Sequence, residues 1–148
     1  MELSEEITIP AKLEKVYKGL NDITILKECI PGCEELIKHS ETGLEAIVVL
    51  KIGPVKARFS GEVELNTDGA PDSYSLHGKG NGGAAGHAKG GADVTLEDAG
   101  SQTILRYTAK AQIGGKIAQL GSRLIMGTAK KLAGSFFSKF AEIVDQDA

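Results

Sequence analysis

The sequence predicts an α+β fold: a curved antiparallel sheet of about seven strands, two short helices between strands 1 and 2, and a long C-terminal helix laid on the sheet. Three observations carry this. Apolar residues recur with period two in one segment before residue 10 and in six more between residues 36 and 113, the spacing of strand side chains. Lys116 to Val144 instead carries helical spacing throughout. A sheet with one apolar face and a helix with one apolar stripe must bury them against each other.

Glu2 to Thr8 reads as the first strand, with Leu3, Ile7 and Ile9 apolar and charges between. Pro10 opens a helix, because proline suits the first helical turn, and Leu13, Val16, Tyr17 and Leu20 follow helical spacing. Asn21-Asp22 breaks it, and a second short helix runs from Ile23 to Cys29. Pro31-Gly32 then turns the chain. Leu36–His39 is a short strand and Gly43–Ile52 a strong one. Val55–Asn66 alternates most cleanly: Val55, Ala57, Phe59, Gly61, Val63 and Leu65 face one way, charged and polar residues the other. Strands follow at Ser73–Gly80, Ala84–Glu97 and Gln102–Ile113, and Gly114-Gly115 releases the chain into the last helix. Ile117, Leu120, Leu124 and Thr128 share a face of that helix, continued by Phe136 and Phe140. No repeat or linker interrupts the chain, so residues 1–148 are read as one domain.

The inward face of the middle strands is built of stubs. Alternate positions read Ala84, Gly86, Ala88, Gly90, Ala92; then Leu76, Gly78, Gly80; then Leu105, Tyr107, Ala109, Ala111. Such a face either meets a helix backbone closely or leaves a cavity. The cavity is the reading adopted. Its walls would be Phe59, Val63, Leu76, Gly78, Gly80, Ala88, Leu105, Tyr107 and Ala109 from the strands, with Ile117, Leu120, Leu124 and Thr128 from the helix. Tyr107 and Thr128 are the evident polar handles. An apolar wall with few polar groups suits a hydrophobic small molecule. At about 24 cal/mol per Å³, an empty pocket of about 300 Å³ would cost about 7 kcal/mol. That is a large part of the usual 5–15 kcal/mol of stability, so the space should hold something.

Other classes are excluded by what is missing. The chain has 148 residues and net charge −3, without a basic domain, so nucleic acid is not a partner. The acidic start, Met1-Glu2-Leu3-Ser4-Glu5-Glu6, has no signal-peptide character, and no apolar run is long enough to span a bilayer. A cytoplasmic location follows, in which Cys29 and Cys33 are expected to be reduced. Their CxxxC spacing does not match a zinc site. His39, His77 and His87 fall in polar phases or at strand ends, and Glu62, Glu64, Asp93 and Glu97 face outward, so no catalytic or metal-binding constellation forms. Gly78-Lys79-Gly80-Asn81-Gly82-Gly83 fits G-x-G-x-x-G, but a strand follows where a phosphate-binding helix is required. Lys116, Arg123 and Lys130, seven apart on the last helix, form a basic stripe. It is either a solvated face or a docking surface for an acidic protein or anionic lipid at the inner face of the membrane.

Several segments together resemble the carbon monoxide dehydrogenase G-subunit family, within the helix-grip superfamily of START-like and Bet v 1-like domains. They are Ile30-Pro31-Gly32-Cys33, Lys51-Ile52-Gly53-Pro54-Val55-Lys56-Ala57, Gly78-Lys79-Gly80 through Gly90-Gly91-Ala92, and Gly114-Gly115-Lys116-Ile117-Ala118-Gln119-Leu120-Gly121. The resemblance implies a seven-stranded sheet gripping the C-terminal helix and a pocket for a quinone or membrane lipid. It also implies an accessory role beside a molybdenum hydroxylase of the carbon monoxide dehydrogenase type. Tyr17 stands where many relatives have tryptophan. Some relatives continue into a membrane-binding tail; this sequence ends at Asp145-Gln146-Asp147-Ala148, which weighs against membrane anchoring. The expected function is a non-enzymatic carrier of a quinone or lipid, with no covalently bound cofactor. Two rivals stand beside it. One is a cyclase or aromatase using the same pocket, which needs an acid or base on the inner wall. The other is an assembly factor that works through its surface alone.

Overall fold

The strands lie side by side in the order β1-β7-β6-β5-β4-β3-β2, every neighbouring pair antiparallel. The computed structural model describes residues 1–146; Asp147 and Ala148, the last two residues of the C-terminal segment, lie outside the described residues. The elements are β1 (Glu2–Ile9), α1 (Leu13–Leu20), α2 (Ile23–Cys29), β2 (Cys33–Lys38), β3 (Gly43–Ile52), β4 (Val55–Asn66), β5 (Ser73–Asn81), β6 (His87–Ala99), β7 (Gln102–Gly114) and α3 (Ser122–Gln146). Short 3-10 turns occupy Gly83–Ala85 and Lys116–Leu120. The expected architecture is therefore present: a curved seven-stranded sheet, two short helices after the first strand and a long C-terminal helix. At 1.5 Å per residue α3 is about 37 Å long, enough to cross the sheet.

Local chemistry explains several boundaries, among them three departures from expectation; β2 also starts earlier than expected, at Cys33 rather than Leu36. Pro10 does not open α1. Ala11 N–H turns back to Ile9 O (2.9 Å), and the buried Thr103 hydroxyl donates to Ala11 O at 2.7 Å. That carbonyl is held by β7 and the helix begins at Leu13. α2 starts where expected, because Asp22 Oδ1 accepts from Thr24 N (2.9 Å) and Ile25 N (3.3 Å) as an N-cap. β6 begins at His87 rather than Ala84. Gly86 sits at φ +124°, where a Cβ would lie 2.4 Å from Gly114 O, so the chain turns there instead of extending. The C-terminal helix is not continuous from Lys116. Gly121, at φ +93°, separates the 3-10 turn from α3, since a right-handed helix cannot run through that conformation.

The filled core lies at one end of the molecule. It joins Val16 and Leu20 of α1, Ile9 of β1, Tyr74, Val94, Leu96 and Leu105 of β5–β7, and Phe140 and Val144 of α3. Phe140 is 0% exposed and anchors the C-terminal half of α3. α1 approaches α3 closely at Gly19, where a Cβ would stand 3.1 Å from the Phe140 ring.

Candidate functional site

Cross-strand register sets out the inner face as rows. The row nearest the core reads Leu96–Leu105–Ile7. Next come Tyr74–Val94–Tyr107–Glu5, then Leu65–Leu76–Ala92–Ala109–Leu3. Beyond these lie Leu44–Val63–Gly78–Gly90–Ala111 and Ala46–Gly61–Gly80–Ala88–Ile113. Moving away from the core, side chains shrink to methyls and hydrogens in the middle of the sheet. Ala88, Gly90 and Ala92 hold the expected phase; Ala84 does not, because it lies in the turn before β6.

The glycines are of two kinds. At Gly78, Gly90 and Gly91 a Cβ would stand 2.5, 2.1 and 2.7 Å from a carbonyl oxygen of the adjacent strand. These positions lack room even for a methyl, because the backbone of the neighbouring strand approaches closely there. At Gly61 and Gly80 the nearest atoms to a Cβ are Lys79 O at 3.5 Å and Ser60 O at 3.8 Å, ordinary contacts with space beyond. Only the second kind enlarges a volume.

Burial on the inner face is incomplete at β3 and β4. On β4 every inward residue, Phe59 and Val63 among them, is half-buried and none is buried. On β3 the inward Leu44, Ala46, Val48, Leu50 and Ile52 are half-buried too. A packed core would bury these. The N-terminal half of α3 is correspondingly loose: Leu124 is 38% exposed and leans on the β3–β4 turn, 2.7 Å from where a Gly53 Cβ would be. Half-covered apolar side chains therefore line the inner face of β3 and β4, with Leu124 of α3 against the β3–β4 turn.

The expected wall residues divide accordingly. Phe59, Val63, Leu76, Gly78, Gly80, Ala88, Tyr107 and Ala109 all occupy inward positions outside the fully buried core. Leu105 is 1% exposed and belongs to the core itself. Ile117 is buried against Gly86 at the end of β6. Leu120 ends the 3-10 turn and Leu124 lies in the first turn of α3, so the Gly121 break lies between them. The Thr128 hydroxyl donates within the helix to Leu124 O at 2.9 Å.

Tyr107 has an acidic partner on the first strand. Its hydroxyl donates to the Glu5 carboxylate, its ring stacks on Phe137 at 5.6 Å between centroids, and burial first, then the Glu5 contact, raises its pKa. Glu5 shares the phase of Leu3, Ile7 and Ile9 and faces inward, opposite Tyr107. Reading β1 as apolar residues with charges between passes over this acid in the apolar phase.

The outer face carries its own features. His39, His77 and His87 are exposed there or at strand ends, as are Glu62, Glu64, Asp93 and Glu97. Arg106 bridges Glu6 (2.8 Å) and Glu97 (3.1 Å). Lys79 and Lys89 stand directly opposite each other. Two open hollows mark this face, each floored by the small-residue rows of the middle strands. One, of about 1200 Å³, is bordered by Glu62, His77, Lys79, Lys89 and Lys110. The other, of about 630 Å³, is bordered by Ile37, Ile47, Ser60 and His87. Both are open to solvent, with charged side chains at the rim and a largely apolar lining. Among the described residues no group of three or more His, Cys, Asp or Glu converges as a metal site. Cys29 and Cys33 are free thiols, and burial pushes Cys29 up to about 11.

Lys116, Arg123 and Lys130 are all exposed, but they are not one helical stripe. Lys116 lies in the 3-10 turn and only Arg123 and Lys130 share α3, because Gly121 intervenes. No helix among the described residues is long and apolar enough to cross a membrane.

The model of the carbon monoxide dehydrogenase G-subunit (CoxG) family matches residues 6–145. A conserved protein from Geobacillus kaustophilus is similar at 30% identity and TM-score 0.93, over 99% of this chain and 96% of that one. A START superfamily protein from Mycobacterium smegmatis shares the fold at 11% identity and TM-score 0.77, over 99% of each chain. The Zhui aromatase/cyclase from Streptomyces sp. R1128 does so at 10% identity and TM-score 0.68, over 99% of this chain and 94% of that one. No curated protein matches the chain.

Proposed function

This chain belongs to the carbon monoxide dehydrogenase G-subunit (CoxG) family, and from that premise we propose that it is a non-enzymatic carrier of a hydrophobic molecule, a quinone or lipid, held in the trough between β3–β5 and α3. One observation carries the reading. The inward apolar residues of β3 and β4 are half-buried where a packed core would bury them. Exposed contiguous apolar surface is costly in water and marks a place where something binds. The walls are Phe59, Val63, Leu76, Gly80, Ala88 and Ala109, with Leu124 at the mouth. The helix-grip fold, shared with an aromatase/cyclase, supports a ligand-binding domain.

The family name supports a partner: a molybdenum hydroxylase of the carbon monoxide dehydrogenase type, which this protein would serve by supplying or accepting the bound molecule. Lys116, Arg123 and Lys130 are the proposed docking surface, for that enzyme or for anionic lipid at the inner membrane face. Native mass spectrometry of the purified protein, followed by solvent extraction, tests the carrier reading. Recovery of a stoichiometric quinone or lipid is the expected result. An empty protein that also takes up no added quinone or lipid would remove it.

A second reading, an enzyme of the cyclase or aromatase kind, gains from Glu5, an acid on the inner wall. It predicts turnover of a polyketide-like substrate that is lost in Glu5→Gln; binding without turnover leaves the carrier.

A further inference from the structure

The two halves of α3 are held differently. Phe136, Phe137, Phe140, Ile143 and Val144 lie in the core or pack against it. In residues 122–135 no side chain is buried, and none joins the core. Gly121, at φ +93°, breaks the backbone just before this stretch. The 3-10 turn ahead of Gly121 is itself pinned by the buried Ile117. Residues 122–135 are thus a strap between two fixed ends, touching the β3–β4 turn through Leu124.

The strap is a weak helix by its own chemistry. Gly127 and Gly134 lie within α3 and neither has positive φ. A Cβ at either would meet nothing within 4 Å. Neither conformation nor packing asks for glycine there, yet each glycine disfavours the helix about fourfold relative to alanine. The first turn carries Arg123 and no acid, where the positive end of the helix favours the reverse. The Thr128 hydroxyl bonds back to Leu124 O, a contact that weakens and bends helices. Residues 136–146 contain no glycine. Several local rules broken together in one segment, and kept in the next, is the pattern expected where function needs motion.

Resting on the reading of the trough as a ligand site, we infer that residues 122–135 are its lid. They unwind locally between Gly121 and Gly134, lift Leu124 off the β3–β4 turn and admit an apolar molecule to the inner face of β3 and β4. No core residue moves in this opening, so it proceeds without global unfolding.

Hydrogen exchange of the full chain without ligand tests the opening, and stopped-flow binding of 2-naphthol tests the gate. Amides of residues 125–133 should exchange faster than those of residues 140–144. Gly127→Ala should slow exchange across residues 125–133 about fourfold, and Gly127→Ala with Gly134→Ala about twentyfold. Association and dissociation of 2-naphthol should slow by the same factors, leaving its dissociation constant unchanged, because the closed state dominates in every form. A change in the trough wall would alter the constant instead. Exchange as slow in residues 125–133 as in residues 140–144, or unmoved by the two alanines, overturns the lid. Probe rates that stay fixed while exchange slows overturn the gate and leave the trough standing. If no form of the protein binds 2-naphthol, the trough reading falls and the gate with it.

Discussion

Alanine placed at Gly80 and at Gly90 should have opposite effects, although both glycines face inward on adjacent strands. A Cβ at Gly80 has nothing nearer than Ser60 O at 3.8 Å. It adds a side chain to a strand without crowding and removes the excess flexibility of glycine in the unfolded chain, a gain of about 0.5–1 kcal/mol. A Cβ at Gly90 would lie 2.1 Å from Lys110 O and 2.9 Å from Ala111 Cα. Both obstacles are backbone, so β6 and β7 must move apart. Overpacking of this sort costs about 1–3 kcal/mol, which exceeds the same entropic gain. Urea unfolding of the two variants reads the difference directly, with unchanged m-values showing that only stability moved. Gly80→Ala should shift the midpoint up and Gly90→Ala down. If Gly80→Ala destabilises as Gly90→Ala does, the space beside β5 is filled and the division of glycines into crowded and open positions is wrong.

Three further outcomes follow from the same structure. Phe140→Ala should cost about 3–5 kcal/mol, because Phe140 is fully buried and stacks 6.1 Å from Phe136; urea midpoints measure it, and a loss below about 1 kcal/mol would mean the α3 anchor lies elsewhere. Ellman's reagent at pH 8 should modify Cys33 in the folded protein and Cys29 only after unfolding, since Cys29 is buried and pushed up to about 11 from 9.0. The sign of that shift also makes the unfolded chain ionise first, so this thiol lowers stability as pH climbs from 9 toward 11. Replacing Lys116, Arg123 and Lys130 by glutamate should abolish any co-sedimentation with anionic vesicles at low salt; sedimentation unaltered by the change would make these residues an ordinary solvated surface.

Periodicity was enough to read the sheet. Val55–Asn66 alternates without fault because one face of β4 is wet and the other is not, and the strand has the predicted ends. The backbone exceptions were less legible. Gly86 and Gly121 mark turns only once their φ angles are known, and each sits inside a run whose spacing continues through it. The inner face was legible as a set of small residues, but their purposes were not. Gly78 and Gly80 look alike in sequence, and only the adjacent carbonyl oxygens distinguish them. Glu5 was readable in principle from its odd-numbered phase with Leu3, Ile7 and Ile9. Its partner Tyr107 lies 102 residues away, a pairing that strand register alone supplies. The hollows of the outer face lie over the same small residues, at Gly78, Gly90 and Gly91 and at Gly61, Gly80 and Ala88, but which side of the sheet stays open depends on side chains from several strands.

The trough between β3–β5 and the start of α3 is tested most directly by methyl NMR with 2-naphthol as an apolar probe. Saturating probe should shift the methyls of Val63, Leu76 and Leu124, leave Val16, Leu96 and Leu105 in place, and leave Ile37 and Ile47 on the outer face unmoved. Shifts confined to Ile37 and Ile47, or no shifts at all, would contradict it.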